Sequence, residues 1–483
     1  MATGKKPKSK QKGPSPAEQL AGNLFAGVRA AESAPPPGAR DLPVIRGVNP
    51  GGLFLGSQEA VTHGVARVMV ESGRVFSYGN GLVVASADTG PDAVIRTIQT
   101  GTQTESCAGG VLANLLVCEY EGRDQTFQFS LPPKALNVIL NAEPLANALP
   151  RIDLYSRRPL FGPDFTLLGP GYHPGPGYLI HGPAVEPDLD PLSVSDYPID
   201  RLPTRLRELL NGFCFRAEAD LVNTLGLFLT GVLINHFVVA LKAVALVDGN
   251  QPGVGKTLLL RVLGIVLDGV DPNLIHYTAD DEELQKRMCA TLRRGVQSVL
   301  VVDNAKQPSG TPVSSPAFES NSMAPEISLR ILGVSTNYVR PNDVVWALTM
   351  NQTRVSPDIM SRGLPIRLSY EGPPEKRTFA GPDPIEYARE HRVELLGELA
   401  GMVVRWSQAG RPEGTRSHRL HRWAKLIGGI LEANGFDGFL TNYEEAAQSF
   451  NAELEELTAL AEAALAAAGG PVVTLPMEEE DDE

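Results

Sequence analysis

Residues 221–247, LVNTLGLFLTGVLINHFVVALKAVALV, form an almost unbroken apolar run that leads directly into the glycine-rich turn GNQPGVGKT. A run of this length could cross a bilayer. However, Asn223, Asn235, His236 and Lys242 interrupt it, and polar groups are costly in hydrocarbon. The run therefore divides into a buried helix over 218–235 and a buried strand over 243–248, AVALVD. Continuous apolar strands belong to parallel sheets covered on both faces. Such a strand, followed by a glycine turn and a helix opening near Lys256, predicts an α/β core that binds its ligand at the strand's C-terminal end.

The turn defines the ligand chemistry. Gly253-Val254-Gly255-Lys256-Thr257 matches the end of the pattern G-x-x-x-x-G-K-[ST], with Asn250 at the first glycine position. Backbone N–H groups from Gly253 to Thr257 would face a β-phosphate, aided by the positive end of the following helix. Lys256 would reach the β- and γ-phosphates of ATP, and the Thr257 hydroxyl would ligate Mg²⁺. Asn250, Pro252, Gly253, Val254, Gly255, Lys256, Thr257 and Leu258 form the expected nucleotide-binding segment. Asparagine suits the first position because it visits left-handed backbone more readily than other non-glycine residues.

Three later elements supply catalytic candidates. SVLVVDN, 298–304, is an apolar strand delivering Asp303, which would hold Mg²⁺ through water. The next residue, Asn304, can orient an attacking water but cannot take its proton. Glu283 is the candidate for the missing carboxylate, with Glu282 and Glu319 as alternatives. VVWALTMN, 344–351, ends in Asn351, a polar strand tip suited to the γ-phosphate or the water. SPDIMSRGLPIRL, 356–368, opens a short helix at Ser356-Pro357-Asp358 and closes it at Arg362. Arg362 is placed to reach a neighbouring subunit's site and stabilise transferred charge; a structural ion pair is the competing role. In HRLHRW, Arg419 or Arg422 is a candidate to reach the γ-phosphate from the same or the next subunit.

The rest of the 483-residue chain falls into segments of distinct texture. Residues 1–45 are a Pro-rich tail with a basic start, and residues 466–483 are an acidic tail; both lack the apolar residues that offset ordering entropy. Residues 46–190 carry short β-prone runs such as ARVMV, LVVAS and FQFSL, predicting a β-rich domain with one helix over 134–148. Residues 204–372 form the α/β domain, and residues 384–465 a helical lid. Four cysteines without close spacing give neither a zinc pattern nor a disulfide framework. With no secretory signal, this predicts a cytoplasmic protein without a membrane span. The net charge of −13 argues against a nucleic-acid binder that uses its whole surface, though not against a basic channel within a ring.

The order of phosphate loop, acidic strand end, polar strand tip and arginine resembles AAA+ ATPases. Three runs resemble something narrower: DEELQKRMCATLRRGVQSVLVVDNAK, SLRILGVSTNYVRPNDVVWALTMNQTRVSPDIMSRGLPIRL and HRWAKLIGGILEANGFDGFLTN. They are similar to the superfamily 3, poxvirus-type helicase part of phage and plasmid primase–helicases. RRPLFGPDFTLLGPGYHPGPGYL, 157–179, is similar to the segment preceding that helicase core. The resemblance covers roughly residues 150–445 and makes Asp303-Asn304 a family trait.

It implies a homo-oligomeric, hexameric ring moving on single-stranded DNA. Residues 46–150 offer no paired acids for a primase. Helicases of this type place DNA-contacting basic residues between the acidic strand and the later strand, which points to Lys306 and Arg340. Tyr338 joins them on an expected hairpin turning at Pro341-Asn342. Two alternatives stand beside the helicase. One is a nucleotide-gated switch recruiting a protein partner through the β-rich domain or acidic tail. The other is an ATPase that binds without hydrolysing.

Overall fold

The apolar runs form five parallel strands. These are β1 (Val244–Gly249), β2 (Leu274–His276), β3 (Val299–Asp303), β4 (Val345–Thr349) and β5 (Gly363–Leu368), paired in the order β2-β3-β4-β1-β5. Every residue of β1, β4 and β5 is buried, as expected of a sheet covered on both faces. The structure, a computed structural model, describes residues 42–78, 81–85, 95–98, 115–123, 125–294, 297–307, 311–333, 337–377, 381–450 and 460–467. The expected basic start, residues 468–483 of the acidic tail and Cys107 lie outside the described residues.

The polar residues inside the long apolar run are anchors. The run folds as α1 (Glu218–Val232), a 3-10 turn (Ile234–Phe237) and β1. On α1, the Asn223 amide donates to Pro365 O at 2.8 Å and to Asn442 Oδ1 at 2.9 Å, and its Oδ1 accepts from Leu440 N at 2.8 Å. Asp220 accepts from Arg367 N at 2.9 Å. Both contacts satisfy outward backbone groups of β5, an edge strand, which also explains why Pro365 is tolerated there. Asn235 donates to Phe161 O at 2.7 Å, and Lys242 donates to Asn342 O at 2.7 Å. Burial pushes the Lys242 amine down to about 7. Among the described residues no helix is long and apolar enough to cross a membrane.

Helices cover both faces of the sheet. They include α2 (Lys256–Asp268) and α3 (Asp281–Arg294), then the short α4 (Pro357–Ser361) before β5. The C-terminal helices α5 (Pro384–Glu390), α6 (Arg392–Gln408), α7 (His421–Ala433) and α8 (Tyr443–Phe450) follow. Residues of α1, α2, β1, α6 and α7 share one hydrophobic core. The segment around Asp188 crosses α6 closely enough that a Cβ on Gly401 would lie 1.8 Å from the Asp188 carbonyl oxygen.

The N-terminal part departs from the β-rich expectation in one element. ARVMV lies within the helix Gln58–Glu71, capped by the Ser57 hydroxyl accepting from Ala60 N at 3.2 Å. Buried Val61, Val65, Val68 and Met69 recur at helical spacing, which overrides the β-prone composition. Strands Val75–Tyr78, Gly81–Ala85 and Ile95–Ile98 pair antiparallel, and Val117–Glu121 pairs with Thr126–Phe129. The expected helix over 134–148 is two, Pro133–Leu140 and Glu143–Ala148.

This part is tied to the α/β part by Arg158, which is fully buried. Its guanidinium donates to Gly231 O at 2.9 and 2.5 Å, to Ser298 Oγ at 2.8 Å and to Asp268 at 3.3 Å.

Candidate nucleotide site

β1 ends at Gly249 and α2 starts at Lys256, so the turn between them sits at the C-terminal edge of the sheet. Gly253 (φ 83°) and Gly255 (φ 105°) take the left-handed angles that close it. Asn250 does not carry a positive φ, contrary to the expectation. Its amide instead donates to Tyr370 O at 3.0 Å and accepts from Tyr370 N at 3.2 Å, while its own N–H donates to Leu368 O at 3.2 Å. Gln251 adds a donor to the same Tyr370 carbonyl at 2.7 Å. The loop is thus stitched to the end of β5. The left-handed asparagine of the site is Asn304, at φ 56°.

The side chains converge around a cleft of about 490 Å³ lined by Pro252, Gly253, Lys256, Thr257, Asp303, Asn304, Lys306, Thr349, Asn351 and Thr353. Lys256 Nζ donates to Asn351 Oδ1 at 2.6 Å and to Gln251 O at 3.1 Å. Burial lowers its pKa, while Asp248 and Asp303 oppose that shift. Asp303 Oδ1 accepts from Thr257 Oγ1 at 2.7 Å and from Thr349 Oγ1 at 2.8 Å. The Thr349 hydroxyl also accepts from Asn304 N at 2.8 Å, and the Asn351 amide reaches Asn304 Oδ1 at 3.5 Å. The result is one connected set: a buried cation, a carboxylate, two hydroxyls and two amides at the N-terminus of α2, a combination suited to a polyphosphate.

The cleft continues as an arm of about 370 Å³ along His276, Tyr277, Thr278 and Ala279, sharing Asp303, Asn304 and Lys306. Sequence reasoning missed this arm, and also Thr349 and Tyr370. Thr349 was visible as the one polar residue within the strand VWALT, two before Asn351 and so on the same strand face. Tyr370 acts through its backbone and left no signal in side-chain chemistry.

Oxygen donors suit a hard divalent cation. Thr257 and Asp303 meet at 2.7 Å at the start of α2, and the described residues hold no cluster of three or more His, Cys, Asp or Glu able to cage a metal. The donor set fits Mg²⁺, which commonly uses one or two carboxylates plus substrate phosphates and keeps several waters.

Several expected residues lie elsewhere. Glu283 is paired with Arg287 at 3.0 Å on α3, one helical turn on, and does not line the cleft. Glu282 pairs with Lys286 at 3.0 Å, and Glu319 accepts from Ser356 Oγ at 2.9 Å. Among the described residues, Asp303 is the only carboxylate lining the cleft and its arm.

Arg340 is buried in an ion pair with Asp343, so it presents no charge to a DNA backbone. Tyr338 donates its hydroxyl to Leu292 O at 3.2 Å, on the flank of the hairpin. The hairpin pairs Glu326–Arg330 with Asn337–Pro341, so Pro341-Asn342 is its base rather than its turn. Within the strand Glu326–Arg330, Arg330 is exposed, and beyond it Leu332 is 77% exposed. Lys306 is exposed and lines the cleft beside Asp303 and Asn304.

Arg362 and Arg422 occupy the opposite edge of the sheet. Arg362 directly precedes Gly363, which pairs with Val244 at the start of β1, whereas Gly249, where the loop begins, pairs with Leu368. The intervening strand spans about 17 Å. His418 bonds Gly363 O at 3.2 Å, placing the start of α7 and exposed Arg422 at that same far edge. Arg422 therefore does not serve the loop of its own chain.

No protein-family model matches the chain, and no curated protein does. Solved structures give distant likenesses. The apo C-terminal region of NrS-1 is 10% identical, with a TM-score of 0.40, over 75% of this chain and 73% of that one. SCCmec type IV Cch, described as an active helicase, is 10% identical, with a TM-score of 0.33, over 83% and 81%. JCV helicase is 14% identical, with a TM-score of 0.24, over 56% and 64%.

Proposed function

We propose that the chain is an ATP-hydrolysing AAA+ ring motor, most simply a DNA helicase acting on single strands. One observation carries the reading. The glycine loop, Lys256, Thr257, Asp303, Thr349 and Asn351 meet at the C-terminal edge of a parallel sheet, with hydrogen bonds of 2.6–2.8 Å among their side chains. In this reading the α2 N-terminus and Lys256 bind the β- and γ-phosphates. Asn351 moves from Lys256 to the γ-phosphate, and Asn304 orients the attacking water. Mg²⁺, held by Thr257 and through water by Asp303, would neutralise phosphate charge. Lys306 adds a second positive charge from the rim.

Arg362 supports assembly. It stands about 17 Å from the loop of its own chain, so its charge serves a neighbouring copy, as the homo-oligomer expected from the sequence requires. The exposed hairpin end at Arg330 and Leu332 is the proposed contact with the DNA strand. The domain boundaries at 46–190, 204–372 and 384–465 and a cytoplasmic location belong to the same proposal.

The test is steady-state ATP hydrolysis with and without single-stranded DNA, joined to strand displacement on a forked duplex. Stimulation and unwinding are expected. Hydrolysis by an assembled ring that ignores DNA would select the nucleotide-gated switch instead. Lys256→Ala should lower hydrolysis by at least about 100-fold. Arg362→Ala should do so while leaving binding of a fluorescent ATP analogue intact; full activity in that variant would sink its trans role.

A further inference from the structure

Arg362 is not alone at its edge of the sheet. Its Nη2 bonds Asp358 Oδ2 at 3.1 Å. The other oxygen of the same carboxylate, Oδ1, accepts from Arg419 Nη1 at 3.3 Å, and Arg419 also bonds Ser361 Oγ at 2.7 Å. One acid therefore holds two guanidiniums that are 57 residues apart in sequence (419 − 362), leaving one net positive charge. The side chain of Arg362 is 15% exposed, while those of Arg419 and Asp358 are each 53% exposed. The Arg419–Asp358 pair is exposed, and such pairs contribute little to stability. Arg362 is also held by Glu319 O at 3.4 Å, so the fold gives small reason for adding Arg419 to the arrangement. Its geometric effect is larger: it holds two cations on one acid at the edge that faces away from the chain's own loop.

We propose that Asp358 is a positioning residue that gathers Arg362 and Arg419 into a paired cation for the triphosphate bound by a neighbouring copy of this chain. Arg419 is the solvent-facing member that reaches the phosphates, and Arg362 is the anchored one behind it. The proposal rests on the reading of Arg362 as a cation acting in trans. Removing the carboxylate charge leaves two like charges with no acid between them, so they separate and the site loses its preset geometry. Misplacement of a positioned group by about 1 Å costs up to about 100-fold in rate.

The test uses the full chain in its assembled state. Asp358→Asn should lower kcat for Mg·ATP about 10- to 100-fold with KM changed less than about twofold, and Asp358→Glu should restore part of the rate. Arg419→Ala should give the same pattern. Mixing separates a trans role from simple damage. Asp358→Asn chains keep an intact loop, and Lys256→Ala chains keep an intact arginine edge. Together they should hydrolyse ATP faster than the sum of the two alone.

Unchanged kcat in Asp358→Asn, or no gain on mixing, overturns the proposal. So does loss of assembly by sedimentation with a normal thermal transition, which would assign Asp358 to the interface itself. The same mixing with Arg362→Ala distinguishes the two levels. A gain there without one for Asp358→Asn removes only the positioning role. No gain for Arg362→Ala removes the trans reading beneath it.

Discussion

The side-chain amide of Asn250 gives one hydrogen bond to the backbone of Tyr370 and takes one back. A glycine at that position would keep the loop's freedom and lose both bonds. Net contributions near 1 kcal/mol per bond give a clear expectation. Asn250→Gly and Asn250→Ala should both weaken nucleotide binding about 5- to 30-fold, measured by calorimetry. If backbone freedom were the requirement, the glycine variant would bind as well as the parent.

His418 offers a second test at this scale. Its Nδ1 accepts from Leu420 N at 3.1 Å, so the neutral ring carries its proton on Nε2 and donates to Gly363 O. Burial pushes its pKa down to about 4, opposed by the Gly363 bond and helped by Arg419. The unfolded chain, near 6.5, then binds the proton first. The stability that His418 contributes is complete above about pH 6.5 and is lost as pH falls toward 4, a change on the order of 3 kcal/mol. The ring C–H resonances should titrate with a midpoint near 4.

Among elements, α6 holds the described glycine with the least room for a side chain, Gly401. Gly401 lets the segment at Asp188 lie against the helix, where Asp188 N donates to Gly397 O at 2.9 Å and Arg405 donates to Asp188 O at 2.8 Å. Gly401→Ala must lift that segment, and overpacking of this kind costs about 1–3 kcal/mol. Thermal unfolding should show the loss, despite alanine's better helix propensity.

Elements also mark where the sequence was readable. The strands at 243–248 and 298–304 and the helix opening at Lys256 followed from continuous apolar runs bounded by punctuation residues. ARVMV did not, because short β-branched runs satisfy both periodicities and the deciding residues, Val61 and Ser57, lie outside it. At the site, Lys256, Thr257, Asp303, Asn304 and Asn351 were legible because each ends or follows a strand at the same sheet edge. Glu283 and Arg340 were misplaced for one reason: charge type shows in sequence, but the partner that neutralises it does not. The i+4 arginine of Glu283 was at least visible at helical spacing.

For the whole molecule, Arg158 joins the N-terminal part to the α/β part through a buried ion pair and three further hydrogen bonds. Removing one partner of a buried pair leaves the other uncompensated, at about 3–5 kcal/mol. Arg158→Met should lower the urea midpoint accordingly. A chain started at residue 204 should be destabilised at least as much, because Asp268 and the Gly231 carbonyl lose the same partner. Full stability in the truncated chain would show that the segment at 157–158 is an accessory.

β5 links the two ends of the molecule's chemistry. One end follows Arg362, and the other grips the glycine loop through Leu368 and Tyr370. It is six residues long, buried throughout, and hydrogen-bonded to β1 along its full length, so it has little room to flex. In the ring proposed above, such a strand would behave as a connecting rod. On the proposed ring reading, a shift of the loop on binding or releasing phosphate would displace the arginine edge offered next door. Each site would then set the timing of its neighbour, and the order of firing around the ring would be written into the length of one strand.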